Sequence, residues 1–385
     1  MAQDWEAAGN AAPQPAGRKH DRARPLQGRA VADGPVYGAL DLGTNNCRLL
    51  VAKPWGNGFR VVDAFSRIVR LGEGVATSGR LSEAAVERAI AALKVCAQKM
   101  RNRGVTHTRN VATEACRQAV NGPEFIARVE RETGIRLDII PPVEEARLAV
   151  MGCQALLDPA ARRAIVFDIG GGSTELTWLA LQNGKPRIMG WMSIPFGVVN
   201  LTETYDTSGI LSPDGYERLK SFIVNKLKPF DRRFNLSPAV AKGGVQLLGT
   251  SGTVTTLTSL NLGLPRYDRS RVDGAWVDRQ DMVSLCRRLP LLERDERAEL
   301  SSIGADRAEL IVAGCAILDA IMELWPVPRL RVADRGIREG LLLELMGAVN
   351  TPLGKRPPNK SNHSGRHNRR RRRRRNASQP ATAEA

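Results

Sequence analysis

Two carboxylates seven residues apart, Asp168 and Glu175, bracket Ile169-Gly170-Gly171-Gly172-Ser173-Thr174 and follow the apolar run Ala164-Ile165-Val166-Phe167. An acid at the end of a buried-type strand, followed at once by three glycines and a hydroxyl, lets backbone N–H groups gather around an anionic oxygen while the carboxylate holds a cation beside it. That is the chemistry of a phosphate-and-metal turn. Glu175 falls where the chain leaves the turn as a second strand, so both carboxylates can face one cleft. Read by itself, the stretch also fits a glycine-rich hairpin connection.

The chain does the same thing earlier. Tyr37-Gly38-Ala39-Leu40 enters Asp41-Leu42-Gly43-Thr44, passes the polar Asn45-Asn46 and leaves through Cys47-Arg48-Leu49-Leu50-Val51. Two such turns at the starts of two halves predict an internal duplication, with two loops facing one phosphate chain across a cleft. A third small-residue turn, Gly249-Thr250-Ser251-Gly252-Thr253, follows a predicted strand over Val245–Gly249. It suits an added anion contact at a helix start or simply a well-capped N-terminus. Glu144 and Glu145 open a helix after Pro141-Pro142, where the helix dipole favours acids whether or not they do chemistry.

The elements that must position these residues follow from periodicity and punctuation. Strands over Arg48–Ala52 and Arg60–Val69 complete a meander on the first turn. Ser82 caps a helix ending near Gly104, with Val86, Ile90, Leu93 and Ala97 on its buried face. A strand near Asn110–Ala112, a helix from Gly122-Pro123 to Gly134 and a strand over Ile135–Ile140 precede the Glu144 helix, which reaches about Leu157. The meander returns over Ala164–Asp168, Glu175–Leu181, an Asn183-Gly184 turn and Arg187–Ser193. Helices run to Arg233 and again from Arg279 to Leu324, then come a strand over Leu330–Ala333 and a last helix over Arg338–Met346.

Length and composition bound the rest. With 385 residues and 42% hydrophobic content, the chain can build two ordinary cores. Cys47, Cys96, Cys116, Cys153, Cys286 and Cys315 are scattered without a C-x-x-C, which reads as reduced thiols in a cytoplasmic protein. His107 is the one histidine between residues 35 and 350, which disfavours a His triad or His-rich metal centre. No apolar run reaches membrane-spanning length, and no signal segment is expected. Of the net charge of +17, residues 351–385 carry +10, including seven consecutive arginines from Arg369 to Arg375, and residues 35–350 carry +6. We expect disordered extensions at 1–34 and 351–385, and two domains over 35–160 and 161–350. The arginine run suits contact with RNA, a phospholipid surface or polyphosphate, or no dedicated partner.

Asp41-Leu42-Gly43-Thr44-Asn45, Ala112-Thr113-Glu114-Ala115-Cys116-Arg117-Gln118-Ala119, Glu144-Glu145-Ala146-Arg147-Leu148 and Asp168–Glu175, in this order, closely resemble the motifs of the Ppx/GppA phosphatase family. Gly249–Thr253 and Arg335-Gly336-Ile337-Arg338-Glu339-Gly340 resemble it too. The resemblance spans roughly Val36 to Met346 and implies an α/β fold of two actin-like (ribonuclease H-like) domains around a central cleft, the last helix returning to the first domain. It implies Glu145 as the catalytic glutamate that activates water. Asp168, Glu175 and Asp41 would be the acids associated with Mg²⁺. Gly43, Thr44, Asn45, Arg48, Arg117, Gly170, Gly171, Gly172, Ser173, Thr250, Ser251 and Gly252 would hold phosphates. The implied activity is exopolyphosphatase, acting on inorganic polyphosphate, or pppGpp 5′-phosphohydrolase; relatives suggest a homodimer. A kinase-like ATP user or a silent polyphosphate-binding protein on the same fold are the other readings.

Overall fold

The computed structural model describes residues 34–347 apart from residues 57, 183 and 184. The expectations for the two terminal extensions and the Asn183-Gly184 turn lie outside the described residues.

The strands are β1 Tyr37–Leu42, β2 Asn46–Trp55, β3 Gly58–Ile68, β4 His107–Ala112 and β5 Asp138–Ile139, then β6 Arg163–Ile169, β7 Thr174–Gln182, β8 Lys185–Ile194, β9 Val245–Thr250, β10 Trp276–Asp278 and β11 Arg329–Ala333. They form two mixed sheets, in the orders β3-β2-β1-β4-β5 and β8-β7-β6-β9-β11-β10. In each, the first strand runs antiparallel to a hairpin partner on one side and parallel to a crossover strand on the other. The duplication foreseen from the two acid-glycine turns is thus repeated over five strands of each sheet, with β10 added at the edge of the second, and the fold is the duplicated actin-like α/β architecture.

Alternating side chains of the first sheet serve two cores, as strand geometry dictates. Leu40, Leu42, Cys47, Leu49 and Val51 pack with Val86, Ile90 and Leu93 of the Glu83–Asn102 helix and with Phe125 and Val129 of the Gly122–Thr133 helix. Ser82 caps the former by accepting from Ala85 N at 3.3 Å. Ala39, Leu50, Ala52 and Val111 face the other way, onto Leu148 and Ala149 of the Pro142–Cys153 helix and Leu341 and Leu342 of the Ile337–Leu345 helix. The second sheet buries Ile165, Phe167, Leu176, Trp178 and Leu247 among the Pro213–Phe234, Ile311–Leu324 and neighbouring helices. On its opposite face, Ala164, Val166, Leu179 and Leu248 meet Val150 and Cys153.

One helix therefore belongs to both sheets. Pro142–Cys153 turns Leu148 and Ala149 to the first and Val150 and Cys153 to the second, and carries Glu145 in its first turn. It crosses the last helix at two glycines. A Cβ on Gly152 would lie 2.0 Å from the Gly336 carbonyl oxygen, and one on Gly340 would lie 2.1 Å from the Leu148 carbonyl oxygen.

Two elements differ from expectation. The strand foreseen over Ile135–Ile140 ladders only at Asp138–Ile139, because the Asn110 side chain donates to the Arg136 carbonyl at 3.2 Å and takes that group out of the ladder. The strand Trp276–Asp278 was not foreseen; three residues are too few to show a period.

Candidate functional site

The two acid-glycine turns meet at the C-terminal ends of β1 and β6. In the first, Gly43 N donates to Asn46 O at 2.9 Å, closing the turn. Asn45 O accepts from Val69 N at 2.8 Å and Thr44 O from Gly72 N at 2.9 Å, so the residues after β3 brace it from outside. In the second, Gly170 N donates to Ser173 O at 2.9 Å, and the carbonyls of Gly170 and Gly171 accept from Val198 and Val199 at the start of the next helix. The turns touch across the cleft: a Cβ on Gly172 would sit 2.9 Å from Thr44 Oγ1, and one on Gly171 3.2 Å from Asn45 N. The two loops thus close on one space from two sides, and on the Gly171–Gly172 side only residues without a side chain permit the approach.

That space is a cavity of about 130 Å³ lined by Asp41, Gly43, Thr44, Asn45, Arg48, Glu145, Asp168, Gly170, Gly171, Gly172, Ser173, Glu175, Ser251 and Gly252. Most of the residues singled out by sequence are brought together there. Two are not. Thr250 lies in an adjoining pocket, its Oγ1 donating to the Arg335 carbonyl at 3.0 Å. Arg117, expected at a phosphate, sits behind Glu145. Its Nη1 donates to Glu145 Oε2 at 2.9 Å and to Ile140 O at 2.6 Å, and its Nε to Glu114 Oε2 at 2.9 Å. The guanidinium is spent on orienting carboxylates.

The acids are poised against one another. Asp168 and Glu175 face each other across the β6–β7 ladder, on one side of the sheet. Burial pushes Asp168 up to about 6, with Asp41 adding and Arg48 opposing, and Glu175 up to about 7, with the facing charge of Asp168 adding to it. Ser193 Oγ donates to Glu175 Oε1 at 2.9 Å. Burial, then the charge of Glu175, raises Glu145 well above the usual carboxylate range, while Arg117 pulls it back. Asp41 is likewise raised by burial and opposed by Arg48, and its Oδ1 is buried without a hydrogen-bond partner, as is Asn45 Oδ1.

Among the described residues, no three His, Cys, Asp or Glu side chains converge as a cage for an ion. Magnesium does not require one. It binds through one or two carboxylates and takes its other ligands from water and phosphate oxygens, so the opposed Asp168 and Glu175 and the orphaned Asp41 oxygen fit such a cation.

Sequence reasoning missed Arg307, which lines the cleft and the adjoining pocket, donates to Thr256 Oγ1 at 2.6 Å and makes no ion pair among the described residues. It sits on a one-turn helix at Ala305–Ala308 with no motif around it. Glu114, the clamp on Arg117, was visible within its motif but carried no role. Ser251 adopts φ 135° and ψ 168°, a region almost reserved for glycine. Its Oγ accepts from Val254 N at 3.3 Å, so the strained residue caps the Gly252–Asn261 helix at the cleft.

The Ppx/GppA phosphatase family model matches residues 50–349. Exopolyphosphatase 2 of Mycobacterium tuberculosis is 30% identical over 322 residues, which is 80% of this chain and 98% of that protein. The crystal structure of the Aquifex aeolicus member of the family is similar with a TM-score of 0.69 at 29% identity, covering 82% of this chain and 99% of that one. An exopolyphosphatase from Cytophaga hutchinsonii shares the fold with a TM-score of 0.73 at 24% identity, over 81% and 98% of the two chains. The matched span takes in the second turn, the glutamate helix and the whole of the second sheet, and the chain belongs to the Ppx/GppA phosphatase family.

Proposed function

We infer that the protein is an exopolyphosphatase, a phosphoanhydride hydrolase that removes the terminal phosphoryl group of inorganic polyphosphate as orthophosphate. The observation that carries this reading is the position of Glu145. It is a buried carboxylate with a raised pKa, on the wall of the same cleft as two phosphate-type loops.

In this reading the terminal phosphates lie between the two turns, where the N–H groups of Thr44 and Asn45 and of Gly171–Ser173 meet the oxygens while those of Gly43 and Gly170 hold the turns closed, and Arg48 and Arg307 offset further negative charge. Asp168, Glu175 and Asp41 hold Mg²⁺, which when bound offsets charge on the phosphate oxygens. Glu145 holds the attacking water and takes its proton as the new P–O bond forms and the bridging P–O bond breaks. A base whose pKa lies near the working pH is best matched to that task. Arg117 fixes the carboxylate's direction, and Glu114 fixes Arg117. The chain leaves as a polyphosphate one unit shorter.

The relatives named as exopolyphosphatases favour polyphosphate over pppGpp as the substrate. The cytoplasmic setting belongs to the same reading and is supported by six buried, unpaired cysteines. The test is product analysis by chain length. Orthophosphate released one unit at a time from the chain end supports the assignment, whereas internal scission, or turnover of pppGpp alone, overturns it.

A further inference from the structure

At the end of the first sheet remote from the cleft, two cations stand face to face. Along β2 and β3, Val51 faces Asp63 but Ala52 faces Val61, so Val62 is an extra residue. This bulge sets Arg60 rather than Val61 opposite Lys53. Like charges directly opposed across a ladder destabilise it, and bulges re-aim side chains. Among the described residues neither cation makes an ion pair. The carboxylate beside them, Asp63, is already engaged by Lys99 Nζ at 2.9 Å and Arg103 Nε at 2.8 Å, which hold its pKa down to about 2. Arg60 extends over the exposed Trp55 ring, 5.5 Å from its centroid, which keeps the guanidinium outstretched.

Lys53, Arg60 and Arg103 line one groove with Val61, Val62 and Asn102. Its charged groups are all cationic, and the one exposed ring beside it, Trp55, already carries the Arg60 guanidinium, so the groove meets phosphate charge rather than stacking bases. Lys53 lies seven residues along β2 from Asn46, which lines the cleft. At about 3.3 Å per residue this is roughly 20 Å. We propose that the groove is a second binding site for a linear chain of phosphates, occupied by a distal stretch of the same polyphosphate whose end lies in the cleft. The proposal rests on the exopolyphosphatase reading for its ligand, and on the opposed, unpaired cations for its location.

The test uses the full-length chain carrying Lys53→Glu, which places a carboxylate opposite Arg60. Three results are expected. The thermal midpoint rises by about a degree or more as repulsion becomes attraction. KM for long-chain polyphosphate at low salt rises about tenfold while kcat is kept. KM for tripolyphosphate, too short to bridge the two sites, stays within about twofold. A parallel measurement in the Glu145→Gln background, binding of fluorescently labelled long-chain polyphosphate, reads the groove without hydrolysis. If turnover is absent but Lys53→Glu still weakens binding about tenfold, the groove stands and the catalytic reading fails. An unchanged KM and affinity for long chains overturns the groove. So does an equal loss on tripolyphosphate, or a loss confined to single-stranded RNA.

Discussion

Alanine at Gly340 tests how the helix crossing controls the chemistry. The new Cβ would lie 2.1 Å from the Leu148 carbonyl oxygen and 3.1 Å from the Leu148 Cα, with backbone on that side. Ordinary contact begins near 3.4 Å, so the Ile337–Leu345 and Pro142–Cys153 helices must separate by about 1.3 Å at the crossing. Backbone cannot move aside as a flexible side chain would, and overpacking of this kind costs about 1–3 kcal/mol. For a protein of this size that is a fall in Tm of several degrees. Glu145 sits three residues before Leu148 on the displaced helix, and a misplacement of about 1 Å in a reacting group costs on the order of 100-fold in rate. The assay is kcat for phosphate release alongside a thermal melt. We expect kcat to fall between 10- and 100-fold in protein that stays folded at the assay temperature. A Gly340→Ala variant with parental kcat and parental Tm would refute the claim that this crossing sets the position of the base.

Further outcomes follow from the same geometry. Arg117→Ala removes the cation that pulls the Glu145 pKa down, so the acid limb of the pH–kcat profile should move to higher pH as kcat drops; an unmoved limb would mean that Arg117 does not govern the base. Asp63 is held at about 2 in the folded protein against an ordinary value of 3.8. Its stabilisation is therefore present above pH 3.8 and lost as pH falls through about 2. Asp63→Asn should lower stability by about 1 kcal/mol near neutrality, and the gap should close in acid melts. Gly172→Ala places a methyl 2.9 Å from Thr44 Oγ1 and should prop the cleft open, raising KM by an order of magnitude; small-angle scattering identical to the parent's with unchanged KM would contradict this. Truncation after Asn350 removes the arginine run and should leave hydrolysis of the terminal phosphate intact, as phosphate-release assays on short substrates will show.

Both acid-glycine turns, the duplicated meander and the Glu145 helix start were legible because each is local. An acid at a strand end, glycines and a following strand fall within a dozen residues of sequence, and the physics that joins them is steric and backbone-level. Arg117 was legible as a site residue but not as to its partner. Its pairing with Glu145 and Glu114 depends on Ile140 and the Pro142–Cys153 helix arriving beside it from elsewhere in the chain. Arg307 was missed for the same reason, since a lone arginine on a one-turn helix has no periodic or motif signal. The Val62 bulge was hidden because β3 reads as an unbroken strand until its register with β2 is known. The tight approach of Gly152 and Gly340 likewise exists only once two helices 184 residues apart in the chain are packed.

Phosphate release in the presence of Mg²⁺, compared for long-chain polyphosphate, pppGpp and ATP in the parent and in Glu145→Gln, tests the central claim most directly. Polyphosphate should be the fastest substrate, and the variant should lose at least about 100-fold in kcat with little change in Tm. A variant as active as the parent would contradict Glu145 as the base, and turnover of ATP alone would contradict polyphosphate as the substrate.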